Sequence, residues 1–153
     1  MERKRAKKNI SQNKKARHDY AVLEQFEAGI ALSGTEVKSC RAGTVSLGES
    51  YAQVVDGNLV LLGANIATYE QGNINNHAPV HPRRLLMHKR EIMRLKKSVE
   101  TKGLTLVPLS MYFNEDGRVK VELGLCRGRN VHDKRENMKK KMDEREMERA
   151  RQR

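Results

Sequence analysis

From Tyr20 onward the even positions Tyr20, Val22, Phe26, Ala28, Ile30 and Leu32 are apolar, while Gln25, Glu27 and Ser33 fall on the odd face. A period of two predicts a strand with one buried face. Gly29 interrupts the run, and a missing side chain there permits the bend or bulge that a small barrel needs at a corner. Ser50 to Val55 and Asn58 to Ile66 read as two more strands, joined by Asp56-Gly57, a dipeptide suited to a tight hairpin. A second hairpin runs from Leu104 to Phe113 and from Arg118 to Cys126 around Asn114-Glu115-Asp116-Gly117. In its return strand Val119, Val121, Leu123 and Leu125 alternate with Arg118, Lys120, Glu122 and Gly124. In its first strand the apolar parity switches across Pro108, which predicts a bulge on an edge strand.

Two stretches follow helical spacing instead. Leu85, His88, Ile92, Leu95 and Val99 recur at intervals of 3, 4, 3 and 4, giving a helix that ends near Gly103, with Arg83 to Met87 as an alternative short strand leading into it. Its other face carries Lys89, Arg90, Arg94, Lys96 and Lys97, either a solvated surface or a phosphate-contacting one. Gly34 to Gly43 predicts a helix of one to two turns, with Thr35 as N-cap, Glu36 at the positive end and Arg41 then Gly43 at the other. So short a helix does not stand alone in water, so it is expected to plug one end of a barrel. Residues 68–82, rich in Asn, Pro and Gly, read as a long loop. These elements define a mainly β chain, a small antiparallel β-barrel of oligonucleotide-binding type with a plug helix and one packed amphipathic helix.

The formal charge of +12 is concentrated at the two ends of the 153-residue chain. Residues 1–17 hold eight basic side chains against one acidic, residues 129–153 ten against six, and residues 18–128 thirteen against twelve. The reading is therefore a basic N-terminal arm (1–17) without fixed structure, a barrel (18–128), and a basic tail (129–153) that becomes helical only in an anionic groove. Basic extensions on a near-neutral body point to a polyanionic partner, nucleic acid first and an anionic membrane surface second. There is no apolar run of the ~20 residues a membrane span needs and no secretory h-region, so a soluble, unexported protein is expected.

Little in the chain resembles catalytic machinery. The stretch Gly43 to Ser50 imitates a phosphate-binding loop, but Glu49 stands where a lysine is required and would repel a nucleotide. No two glycines are three apart, as a KH clamp demands, and no RRM aromatic signature is present. His18, His77, His81, His88 and His132 lack metal-ligand spacing, and Cys40 and Cys126 stand singly, so no metal, cofactor or disulfide is expected. His132 and Asp133 are adjacent, would point apart on a helix, and lie on a tail unable to preorganise a transition state. A binding role remains. With four Tyr, two Phe and no Trp, stacking a long single strand is disfavoured, and shape-directed recognition of a folded RNA fits better.

The blocks N-K-K-A-R-H-D-Y (13–20), F-E-A-G-I (26–30), G-T-E-V-K-S (34–39), N-H (76–77), L-L-M-H-K-R-E-I (85–92), L-V-P-L-S-M-Y-F (106–113) and H-D-K-R (132–135) resemble, in order, those of the SsrA-binding protein (small protein B) family. The resemblance implies a bacterial cytoplasmic, non-catalytic partner of transfer-messenger RNA (SsrA RNA) and of the ribosome in trans-translation. It implies that Glu27, Leu86 and Lys120 contact the tRNA-like domain of that RNA, with Lys38 and Arg41 on the short helix and Asn75, Asn76 and His77 nearby. It further implies that Gly128 is a hinge, and that His132, Asp133, Lys134 and Arg135 reach the decoding centre, with Lys139, Lys140 and Lys141 beyond in the mRNA channel. Neither a membrane nor a small-molecule substrate is implied. Thr68 and His81 depart from the family pattern, which has Pro and Arg there. A structural ribosomal protein would share the basic arms and small barrel, and is the alternative.

Overall fold

Hydrogen-bonded pairing of the alternating segments is antiparallel throughout the computed structural model, which describes residues 7–69 and 76–128. In chain order the elements are β1 (Lys8–Gln12), α1 (Lys14–Asp19), β2 (Tyr20–Ile30), α2 (Gly34–Arg41), β3 (Val45–Ser46), β4 (Tyr51–Val55), β5 (Asn58–Leu62), β6 (Asn65–Ile66), β7 (Arg83–Leu86), α3 (Lys89–Lys102), β8 (Thr105–Phe113) and β9 (Val119–Gly128). The main sheet runs β1-β8-β4-β5-β7-β2-β9, and β9 returns to pair with β8, closing six strands into a barrel-like ring. The short strands β3 and β6 pair at its side.

Inside the ring, Ala28, Leu59, Leu61, Leu85, Met111, Val121 and Leu123 are fully or almost fully buried, each large aliphatic contributing ~1.5–3 kcal/mol of burial. Helices α2 and α3 complete this core. α2 contributes Cys40, whose Sγ lies 4.0 Å from Met111 Sδ, and α3 contributes Ile92, Leu95 and the partly buried Val99. Burial pushes both thiols, Cys40 and Cys126, up to about 11, so they are packing groups and poor nucleophiles at neutral pH.

A second, smaller cluster of Ala16, Val107, Leu109 and Cys126, joined by Tyr20 and Val22, lies apart from this core. Two bulges account for it. The β2–β9 register shifts between Val22 and Glu24, and the β8–β9 register between Pro108 and Ser110, so one extra residue in each strand exchanges the faces. Tyr20 and Val22 therefore do not share a face with Phe26, Ala28 and Ile30, although their parity is the same, and the bulge is at Leu23 instead of Gly29. The predicted bulge near Pro108 is present, but β8 is no edge strand: β9 follows one side while β4 and β1 divide the other.

That division explains why the described part of the N-terminal arm, from Lys8 onward, departs from the expectation of no fixed structure; residues 1–6 and the tail 129–153 lie outside the described residues. Between the pairing of β4 at Leu106 and that of β1 from Ser110, the carbonyls of Pro108 and Leu109 would be unpaired. Asn13 fills the gap: its backbone N–H donates to Leu109 O at 2.8 Å and its Nδ2 to Pro108 O at 2.9 Å and Leu47 O at 3.0 Å. Its Oδ1 accepts from Ala16 N and caps α1. From Lys8 to Gln12 and from Lys14 to Asp19 the basic arm is thus strand and helix.

Three smaller corrections have local causes. The cap of α2 is Ser33, not Thr35, in a reciprocal capping box with Glu36. Leu85 belongs to β7, so the alternative reading of a short strand leading into the helix holds, and α3 starts after His88. Asn58 to Ile66 is two strands because Gly63, at φ +79°, turns the chain where an added Cβ would meet Glu49 O at 2.6 Å.

Candidate nucleic-acid interface

Strand register brings the predicted residues Leu86 and Lys120 into one line. Gly29 pairs with Leu86 on one side and Lys120 on the other, Lys120 pairs with Tyr112, and Tyr112 with Asn9. The row Leu86-Gly29-Lys120-Tyr112-Asn9 thus crosses five strands. One step along, Glu27 pairs with Glu122. Because successive strand side chains alternate, Glu27 and Lys120 point away from the buried Ala28 and Val121, and Leu86 is 49% exposed next to buried Leu85. At Gly29 a Cβ would stand 3.2 Å from the Leu86 Cβ, so glycine lets β7 approach β2 and leaves the row open between Leu86 and Lys120. A recess of about 330 Å³ lies here, bordered by Gly29, Leu86, Arg118, Lys120 and by Val37 of α2. It brings the short helix to the edge of the sheet face.

α2 is fixed by a buried ionic network. Arg83 sits in phase with Leu85 on the inward side of β7 and has no exposed side-chain surface. Its Nε donates to Glu36 Oε2 at 2.5 Å, its Nη1 to Ala64 O at 2.8 Å and its Nη2 to Pro79 O at 2.9 Å. Glu36 also accepts from the Ser33 backbone N–H at 3.0 Å and lies 3.1 Å from His81 Nε2. Burial alone would push the Glu36 carboxyl up, but the Ser33 N–H, the Arg83 guanidinium and His81 outweigh it and hold it below its usual range. One guanidinium thereby ties the first turn of α2 to the segment 78–81.

Around the same turn, His77 Nδ1 lies 2.9 Å from Thr35 Oγ1 and its Nε2 2.8 Å from Ile66 O. The Asn76 side chain accepts from Tyr69 N–H at 2.9 Å and donates to Tyr69 O at 2.5 Å. The Lys38 ammonium rides 5.4 Å from the Tyr69 ring centroid, and Arg41 is exposed in the last turn. Of the predicted residues, Lys38, Asn76 and His77 therefore gather at α2, while Glu27, Leu86 and Lys120 share the sheet face. Gly128 ends β9 opposite Tyr20. Asn75, His132, Asp133, Lys134, Arg135, Lys139, Lys140 and Lys141 lie outside the described residues. Sequence reasoning missed Arg83, Tyr112 and Glu122. Parity with Leu85 was the signal for Arg83, since a charge on the buried side of a strand requires a partner.

Among the described residues, no cluster of His, Cys, Asp and Glu could hold a metal ion, and no helix is long and apolar enough to cross a membrane. A closed ring of short strands with a mixed basic, apolar and acceptor row on its outer face, bordered by a fixed short helix, defines a small β-protein of oligonucleotide-binding type. The profile of the family described as SmpB protein matches residues 10–153. The SsrA-binding protein of Symbiobacterium thermophilum is 55% identical over 141 residues, 92% of this chain and 89% of the relative. That of Carboxydothermus hydrogenoformans is 55% identical over 143 residues, covering 94% and 95%. A solved chain described under "tmRNA-SmpB: a journey to the center of the bacterial ribosome" is 57% identical, with a TM-score of 0.65 over 77% of this chain and 82% of that one. The chain belongs to the SmpB protein family.

Proposed function

We propose that the protein is a bacterial cytoplasmic RNA-binding adaptor that grips the tRNA-like domain of SsrA RNA and delivers it to stalled ribosomes for trans-translation. The observation that carries this reading is family membership across residues 10–153, with relatives named SsrA-binding protein and a neighbour described with tmRNA and the bacterial ribosome. In this reading the outer row is the RNA grip. Lys120 answers a phosphate, Leu86 packs against sugar or base, and Glu27 accepts from a donor group. Lys38, Arg41, Asn75, Asn76 and His77 extend the contact along α2. The role is binding, not turnover, and needs no cofactor.

The tail supplies the second contact. His132, Asp133, Lys134 and Arg135 engage the decoding centre, and Lys139, Lys140 and Lys141 follow the empty mRNA channel, with Gly128 as the hinge. Basic side chains there answer rRNA phosphates, and His132 stacks on a base.

The test is to purify the protein from its own cells at moderate salt and sequence the RNA that accompanies it. One dominant RNA with a tRNA-like end and an internal reading frame is expected. A pool of ribosomal RNA fragments would instead indicate a structural ribosomal protein. Within the grip, Lys120→Ala weakens RNA affinity and reduces the slope of log K against log salt by about one, the signature of one lost phosphate contact. Titrations at several salt concentrations read it, and an unchanged slope removes the assignment of Lys120 to a phosphate.

A further inference from the structure

We propose that the recess between β1, β2 and the β8–β9 pair reads one unpaired guanine of the bound RNA, whose imino and amino groups donate to the carboxylates of Glu27 and Glu122. This rests on the RNA-binding reading above and adds a base-specific subsite to it. The recess is an open surface depression of about 440 Å³ lined by Lys7, Gln25, Glu27, Tyr112 and Glu122, among others, broad enough to receive one base from the side of the solvent.

Glu27 and Glu122 stand directly opposite each other in the β2–β9 ladder. Like charges in that position destabilise a sheet, and beside an RNA they repel phosphate. In a chain of net charge +12, the group that fits opposite them is a set of hydrogen-bond donors. Both carboxylates are held by one oxygen. Tyr112 Oη donates to Glu27 Oε2, and Ser110 Oγ donates to Glu122 Oε2 at 2.9 Å, with Arg17 3.8 Å from the same atom. Among the described residues no hydrogen bond reaches Oε1 of either, which leaves one acceptor on each carboxylate. Burial and the Glu27 carboxylate push the Tyr112 phenol above its ordinary value, so it remains a donor at neutral pH.

Guanine alone among the four bases carries two adjacent donors, N1–H and N2–H₂, on its Watson–Crick edge. Uracil and adenine alternate donor with acceptor, and cytosine offers a single amino group. Unpaired bases are read on this edge and stacked on aromatic rings. Tyr112 provides such a ring, and the Lys7 ammonium, 5.5 Å from its centroid, is an exposed cation for the flanking phosphate.

The experiment uses the full chain and chemically synthesised tRNA-like domain of SsrA RNA, with each unpaired guanosine replaced in turn by inosine, which lacks the amino group. One position is expected at which inosine weakens wild-type binding about tenfold and binding to Glu122→Gln less than about twofold. Glu27→Gln is expected to couple to the same position. Glutamine keeps the shape and still accepts from Ser110 or Tyr112, and an unchanged melting curve checks that each variant folds. Wild type that binds the RNA with no inosine-sensitive position, or with equal losses in wild type and both variants, overturns the guanine subsite alone. Wild type that fails to bind the unmodified RNA overturns the functional reading as well.

Discussion

Replacing Arg83 with methionine lowers the free energy of unfolding by about 3–5 kcal/mol, read by urea denaturation at neutral pH. The guanidinium has no exposed surface, and Glu36 beside it is 4% exposed. Methionine fills a similar volume but leaves a buried carboxylate without its cation and the carbonyls of Ala64 and Pro79 without their donor. Adding Glu36→Gln to Arg83→Met recovers part of the loss, because the orphaned charge goes with it. A loss below about 1 kcal/mol would show that water replaces the pair.

The same pair sets a pH dependence. The Glu36 carboxyl is held below its ordinary value of 4.5, so its stabilisation is complete above that value and disappears as pH falls through the lower, folded one. The stability difference between wild type and Glu36→Gln therefore shrinks on acidification below about pH 4.5. A difference that stays constant down to pH 2 contradicts the assignment.

Ending the chain after Gly128 abolishes tagging on stalled ribosomes while leaving affinity for SsrA RNA nearly intact. Gly128 is the last residue of β9, opposite Tyr20, so the cut leaves the ladder and the whole outer row in place. What is removed carries ten basic and six acidic side chains, which in the proposed mechanism meet the ribosome and not the tRNA-like domain. Filter binding and a tagging assay on a message without a stop codon read the two halves separately. A loss of RNA affinity of tenfold or more, roughly 1.4 kcal/mol, would show that the tail belongs to the RNA grip.

Alternation carried most of the ring. Val119, Val121, Leu123 and Leu125 fixed both faces of β9, and with them the outward direction of Lys120. The failures have a common origin in contacts that no local pattern encodes. A single extra residue at Leu23 exchanges the faces of β2 without altering its parity in the sequence. Asn13 looks like one more polar residue in a basic arm, yet its bonds to Leu47 and Pro108 span 34 and 95 positions. Composition counted the charges of that arm but could not supply the three carbonyls, of Leu47, Pro108 and Leu109, that order it. At the interface, Glu27 and Lys120 were assigned by resemblance and agreed with alternation. Glu122 stood in the same alternation, and only the register of β2 against β9 sets it beside Glu27.

Ring closure through β8 and β9 also governs how this protein behaves at high concentration. An open sheet offers a row of unpaired backbone groups on which another copy can add a strand, the usual seed of aggregation. In the main sheet β1 is the terminal strand with an unpaired outer side, and it is a five-residue strand of sequence K-N-I-S-Q with a register shift after Asn9. Short length, a lysine and an irregular ladder are the features that discourage strand addition. The segment that composition reads as a loose basic arm thus ends the sheet in a form on which another copy of the chain adds a strand only with difficulty.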